Sequence, residues 1–305
     1  MIPPFLSYIT FNRMGLTARS LKSILDTPED FEMHIIDSNS KDDTWEYLQS
    51  LDDSRIKSRT RLDSNLGPVF ALNMNLTKRS PDQYFFSVDS DVVIKTKDWM
   101  TRFMDVFKTF PDVGLLGVQR TPPYFPVYPQ VIPKSKDGVT YLELKNGYVD
   151  VLLDFIHGCC MGMRPELIEE IGYWSEETCY GDAELSPRVV NYTDFKAGFM
   201  SDPNMISQIV IDMAQSITCE ECQVRKYCKQ DKIYNTCFNI HKESYKNTPF
   251  VLKYKWKYLE FFKELEEGKR SVYCASIYDD DSIEKHVYNK DWALENMNYY
   301  KDNSN

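Results

Sequence analysis

Residues Tyr84-Phe85-Phe86-Ser87-Val88-Asp89-Ser90-Asp91 run from an apolar stretch straight into two carboxylates. A second stretch repeats the pattern, with Met33-His34-Ile35-Ile36 leading into Asp37. In an open parallel sheet, ligands bind beyond the carboxyl ends of the strands. If both stretches are strands of one sheet, their acidic residues gather on one rim. Hard divalent cations take oxygen ligands of this kind and usually share them with substrate phosphates. The pattern points to an α/β enzyme that handles a nucleotide.

Working outward, Phe5 to Thr10 reads as a first strand. Leu16, Leu21, Ile24 and Leu25 place one apolar stripe on a helix from Arg13 to about Leu25. Ser40-Lys41-Asp42-Asp43-Thr44 offers N-capping side chains to a helix carrying Trp45, Leu48 and Leu51. Pro68 suits a first helical turn and starts a third helix, which ends near Arg79. Strand, helix, strand, helix, helix, strand is the alternation of a doubly wound fold. After Trp99 the pattern changes. Residues 107–120 read as a short helix and a strand at Val113–Val118. Thr121 to Pro133 is rich in proline and predicts an irregular loop. Val149–Ile156 reads as a strand and Arg164–Ile171 as a short helix. Beyond Phe250 the chain turns helical and aromatic, ending in a polar tail at Lys301–Asn305.

A length of 305 residues allows one large domain or two fused lobes. With 42% hydrophobic and 27% charged residues, wholesale disorder is excluded. A net charge of -10 argues against a nucleic-acid or anionic-membrane partner for the chain as a whole. A phosphorylated substrate stays open, because a metal ion reverses the local field. No apolar run approaches the roughly 20 residues that span a bilayer. Met1-Ile2-Pro3-Pro4-Phe5 lacks the basic-then-apolar order of a secretion signal, so a cytoplasmic location is the expectation.

The order of motifs resembles an inverting, family-2-like glycosyltransferase of the GT-A fold. Ile9-Thr10-Phe11-Asn12-Arg13 is similar to that family's opening after the first strand. Ile36-Asp37-Ser38-Asn39-Ser40-Lys41-Asp42-Asp43-Thr44 resembles its acidic loop, and Asn65-Leu66-Gly67 with Ala71 and Asn73 its Asn-x-Gly helix entry. Val88-Asp89-Ser90-Asp91 is similar to the DxD motif. Gly158–Arg164, Ile171–Trp174 and Gly181-Asp182-Ala183-Glu184-Leu185 resemble the acceptor-side segments, the last holding the catalytic base. The likeness covers residues 4 to 200. It departs at Ser38 and at Gly181, which stands where the family's base motif carries Glu.

The resemblance implies a mostly parallel central sheet flanked by helices, a nucleotide-diphosphate sugar donor and an acceptor hydroxyl on a protein, a glycan or a lipid-linked precursor. Thr10, Asn12, Arg13, Asp37, Asn65, Gly67, Asp89 and Ser90 would bind the donor. Asp89 and Asp91 would hold Mn²⁺ or Mg²⁺ as a Lewis acid on the leaving diphosphate, with His241 as a further ligand. Asp182, on an apparent loop before a helix, would be the general base; it also suits a helix N-cap. Tyr124, Tyr173, Trp174 and Glu184 are acceptor-side candidates, although aromatic residues more often pack in cores. The catalytic domain would span residues 1–215, its donor half ending near 110.

Cys219, Cys222, Cys228 and Cys237 leave two, five and eight intervening residues. In a cytosolic chain such thiols read as metal ligands, so a structural Zn²⁺ is expected over 216–245, with an iron–sulfur cluster as the alternative. In the extension, 246–305, Tyr254, Trp256, Tyr258, Leu259, Phe261 and Phe262 lie almost all round one helix. Such a helix must be covered by the body, by an acceptor or by a homodimer partner.

Two other readings stay open. A nucleotidyltransferase is also α/β and metal-dependent, but usually carries a Gly-rich basic loop, and Phe11–Leu16 has only Gly15. A non-catalytic binder with a degenerate transferase fold would account for Ser38 and Gly181.

Overall fold

The computed structural model describes residues 2–119, 130–145, 155–178, 181–208 and 248–302. The N-terminal part alternates β1 (Phe5–Thr10), α1 (Met14–Leu25), β2 (Glu32–Asp37), α2 (Thr44–Ser50), β3 (Ile56–Arg61), α3 (Pro68–Leu76) and β4 (Phe85–Asp89). Strand β3 is an addition to the expected order. Only Ile56 of its six residues is apolar, and it pairs with β2 alone at the sheet edge. A strand with one neighbour and little burial leaves no hydrophobic run to read.

Then follow β5 (Val92–Ile94), α4 (Trp99–Thr109), β6 (Val113–Gly117), β7 (Val131–Lys136), β8 (Val139–Leu144), β9 (Cys160–Met163), α5 (Pro165–Ile171), α6 (Gly181–Tyr192), β10 (Lys196–Met200) and β11 (Ile206–Gln208). Helix α4 starts well before Phe107, because Trp99, Met100, Phe103, Val106 and Phe107 form one buried face. Of the loop expected over 121–133, residues 121–129 lie outside the described residues, and Val131–Pro133 belong to β7. Pro133 is tolerated because β7 is an edge strand. Of the strand expected at 149–156, residues 149–154 also lie outside, and Ile156 is irregular.

Nine strands form one sheet in the order β3-β2-β1-β4-β9-β6-β10-β8-β7. Strands β9 and β8 run against the others, so the sheet is mostly parallel in direction. Strand residues alternate between two cores. Leu6, Tyr8, Phe86, Val88 and Leu116 face α1 and α4, whose Leu21, Ile24, Trp99 and Phe103 complete that layer. Phe5, Phe85 and Leu115 face α3, α5 and α6 through Val69, Leu167, Ile171, Leu185 and Val189. Burial on both faces explains why these strands read as continuous apolar runs.

The extension contains α7 (Thr248–Glu266), α8 (Asp280–Lys285) and α9 (Lys290–Asp302). Tyr258, Phe261, Phe262 and Leu265 of α7 are buried with Ala183 of α6 and Cys274. At these positions the chain itself covers the aromatic face that suggested a partner subunit. Among the described residues, no helix is long and apolar enough to cross a membrane.

Candidate active site

Parallel pairing brings the ends of β1, β2 and β4 to one rim. Thr10 lies opposite Asp37, and Ile9 opposite Asp89. The loops beyond these ends are tied together. Asn12, at φ 49°, donates its N–H to Ser40 Oγ (2.9 Å), and its side-chain oxygen accepts from the Lys41 N–H (2.6 Å). Asp42 accepts from the Met14 N–H (3.1 Å) and from the Thr44 hydroxyl (2.5 Å), so it joins the starts of α1 and α2. Arg13 reaches Asp91 at 3.8 Å. The strand ends leading to Asp37 and Asp91 therefore lie on one rim of the sheet.

The carboxylates on this rim differ in environment. Asp89 is exposed at the end of β4, whereas Ser90 and Asp91 are buried. Asp91 Oδ1 is buried with no hydrogen-bond partner. A buried carboxylate oxygen lacking a donor is an unsatisfied acceptor, and a hard cation would satisfy it. The Asp89–Asp91 pair thus fits Mn²⁺ or Mg²⁺. Among the described residues, no three His, Cys, Asp or Glu side chains cluster around a metal position.

Asp37 is fully buried, accepting the Ser40 N–H on both oxygens (3.2 Å) and the Ser40 hydroxyl, with Arg61 Nε at 3.4 Å. Burial raises its pKa; the Ser40 donors and Arg61 oppose that rise. Asp37 thus braces the loop that follows β2. Asn65 acts similarly, its side-chain oxygen accepting from the Gly67 N–H (2.9 Å). Gly67 takes φ 85° before α3, a conformation that favours glycine. The Thr10 hydroxyl bonds Thr17 (2.6 Å).

Asp182 lies in the first turn of α6, not on the loop expected from the sequence. Its Oδ2 accepts from the Gly158 N–H (3.1 Å), in the turn before β9. Because β9 runs antiparallel to β4, with Val88 opposite Cys160, that turn sits on the same rim. The neighbouring Cys159 carbonyl accepts from the Asp89 N–H (2.9 Å). Helix α6 therefore delivers Asp182 to the rim that carries Asp89.

Three of the acceptor-side candidates, Tyr173, Trp174 and Glu184, are buried. Trp174 is 1% exposed and packs on Phe85 at 5.4 Å between ring centres. Glu184 is fully buried, accepting from the Ser175 N–H (2.8 Å) and pairing with Arg188 (3.1 Å). Burial raises its pKa, partly offset by Arg188. The Tyr173 hydroxyl donates to Asp279 (2.6 Å). These side chains build the segment leading to Asp182. Tyr124, His241, Cys219, Cys222, Cys228 and Cys237 lie outside the described residues.

Sequence reading missed several residues that shape this region. Arg61 ends the unread strand β3, caps the Ser40 carbonyl (2.5 Å) and pairs with Asp37. Glu176 accepts from Asn73 (2.9 Å), the Ser276 hydroxyl (2.5 Å), the Ile277 N–H (2.9 Å) and the Tyr288 hydroxyl (3.3 Å). Glu177 forms a two-pronged ion pair with Arg270 at 2.8 and 3.0 Å. The adjacent carboxylates Glu176-Glu177 directly after Tyr173-Trp174-Ser175 were the available signal; Arg270 carried none.

Known proteins share this fold. The chain is similar in structure to the mannosyltransferase PcManGT from Pyrobaculum calidifontis in complex with GDP-Man and Mn²⁺. That overlay has a TM-score of 0.53 and 14% identity over 100% of this chain and 86% of that one. S. aureus TarS overlays with a TM-score of 0.50 and 14% identity over 80% of this chain and 44% of that one. TarS 1–349 gives 0.48 and 17% over 66% and 58%. The chain thus spans about half the length of the TarS chains, and at these identities the likeness is one of fold. No match is found among the curated proteins. The family described as Glycosyl transferase family 2 matches residues 8–172, more than half of the 305 residues. The chain belongs to glycosyl transferase family 2.

Proposed function

We propose that this chain transfers a sugar from a nucleoside-diphosphate sugar to an acceptor hydroxyl by single displacement with inversion. The observation that carries this reading is the placement of Asp89 and Asp182 on one rim, joined through Gly158 and Cys159. Family membership and the GDP-Man and Mn²⁺ bound by PcManGT support the donor class.

The acceptor oxygen attacks the anomeric carbon as the bond from that carbon to the diphosphate breaks. The proton of the attacking hydroxyl passes to a carboxylate oxygen of Asp182. An ordinary carboxylate suffices, because the hydroxyl becomes more acidic as attack proceeds. The Gly158 N–H orients that carboxylate. On the donor side, Asp89 and Asp91 would hold Mn²⁺ or Mg²⁺, which when bound neutralises charge on the leaving diphosphate. Thr10, Asn12, Arg13, Asp37, Asn65, Gly67 and Ser90 belong to the joined loops and turn that would receive the nucleotide. Hexose and N-acetylhexosamine donors both suit this reading.

The test is incubation of purified protein with uridine, guanosine and thymidine diphosphate sugars in Mn²⁺, Mg²⁺ or EDTA. Release of free nucleoside diphosphate, abolished by Asp182→Asn and by EDTA, is the expected result. Pyrophosphate release instead would show nucleotidyl transfer. Neither release nor a thermal shift with any donor would overturn the reading.

A further inference from the structure

Helix α9 touches both sides of the site. Asn296 and Tyr300 stand four residues apart, so they share one helical face about 6 Å apart along the axis. Asn296 is fully buried, and its Nδ2 donates to the carbonyls of Glu176 (3.3 Å) and Thr178 (3.1 Å). Those carbonyls belong to the segment that leads into Asp182. One turn further on, the Tyr300 ring lies against Gly67. A Cβ added at Gly67 would fall 2.6 Å from Tyr300 Cδ2, so only a glycine admits the ring this closely. Gly67 is the donor-side turn that Asn65 braces.

The helix itself is anchored. Ala293 is buried, Glu295 pairs with Lys257 (2.7 Å), and the Asn289 N–H before α9 donates to Glu177 (2.9 Å). A side chain gripping the base segment and another seated on the donor turn thus stand on one anchored turn of helix.

We propose that α9 is a strut that fixes the donor-side turn relative to the segment carrying Asp182, with Asn296 and Tyr300 as positioning residues. The roles named for the two ends rest on the transferase reading; the mechanical link does not. Catalytic groups held about 1 Å out of place lose roughly a hundredfold in rate, so such a strut has a kinetic consequence.

The experiment is hydrogen–deuterium exchange on the full-length chain, comparing wild type with Tyr300→Ala, Tyr300→Phe and Asn296→Ala. Tyr300→Ala is expected to raise exchange at residues 176–182 as well as at 65–68, and Asn296→Ala to do the same from its end. Tyr300→Phe keeps the ring and is expected to match wild type in both segments, with β1 and β2 unchanged throughout. If each alanine variant loosens only the segment it touches, there is no strut. Should Asn296→Ala unfold, Tyr300→Ala decides alone, since Tyr300 is partly exposed. Donor turnover gives the second readout: Asn296→Ala and Tyr300→Ala are expected to be non-additive in a double-mutant cycle. Strict additivity would overturn the proposal. A wild-type chain with no turnover fails the transferase reading and leaves the exchange result to decide the strut.

Discussion

Asp89 and Asp182 are held by consecutive residues of one turn: the Cys159 carbonyl accepts from the Asp89 N–H (2.9 Å), and the Gly158 N–H donates to the Asp182 carboxylate (3.1 Å). One residue comes from the end of β4 and the other from the start of α6, 93 positions later in the chain. The turn between them sets their relative placement, and the following predictions begin from it.

Asp182→Asn keeps the shape but removes the proton acceptor, and its single amide oxygen serves one of the two N–H donors, Gly158 and Ala183. Transfer is expected to fall by roughly 10²–10⁴-fold, the range typical of general-base loss. Nucleotide affinity, measured by calorimetry, is expected to stay at the wild-type value. Turnover near wild type would remove Asp182 from the mechanism.

Gly158→Ala tests the turn itself. The added Cβ would lie 3.3 Å from Asp182 Cβ and 3.4 Å from its Oδ2, tight enough to push the carboxylate by a few tenths of an ångström. Transfer is expected to drop about tenfold while donor KM and Tm hold, because only the orientation of Asp182 changes.

Asp37 gives a pH signature. Its folded-state pKa lies above the ordinary carboxylate value because of burial. A raised carboxylate stabilises the fold below the unfolded pKa, and that contribution is lost as pH rises through the folded value. At neutral pH the wild type therefore carries the cost of a buried charge that Asp37→Asn avoids. The variant is expected to match or exceed wild-type Tm near pH 7.5, with its relative advantage shrinking toward pH 4. Its nucleotide affinity is expected to fall, since the Ser40 loop loses its brace. A Tm difference that grows on acidification would contradict the assignment.

Glu177→Ala takes the two-pronged carboxylate from Arg270, which is 8% exposed, and leaves it only Glu264 at 2.8 Å. A buried charge left without any partner costs about 3–5 kcal/mol; with Glu264 still on Arg270 the cost is expected to fall below that range, and removing both Glu177 and Arg270 is expected to cost less than the sum. Denaturant unfolding of Glu177→Ala, Arg270→Ala and the double variant checks this. Equal costs that simply add would show that the two side chains do not interact.

Legibility in the sequence tracked how local each signal was. Strands β1, β2 and β4 were readable because burial on both faces makes unbroken apolar runs, and the acidic residues after β2 and β4 mark their ends. Pro68 announced α3 through its own backbone geometry. Strand β3 was invisible because Ile-Lys-Ser-Arg-Thr-Arg has no period, and with it went Arg61, the partner of Asp37. The start of α4 was obscured by its mixed composition, although its buried face runs from Trp99 to Phe107. The aromatic helix α7 was read correctly as needing cover, but the sequence could not say that α6 supplies it.

The sequence by itself determined the α/β alternation, the order of the acidic motifs and the family, since hydrophobic period and turn chemistry act over a few neighbouring residues. Only the tertiary structure decided which carboxylates stay exposed on the rim and which are spent inside the protein. Asp89 is exposed and Asp182 partly so, whereas Asp37 and Glu184 are fully buried. The physical reason is distance along the chain. Glu177 meets Arg270 across 93 positions and Thr178 meets Asn296 across 118, so burial and pairing there are properties of the folded whole.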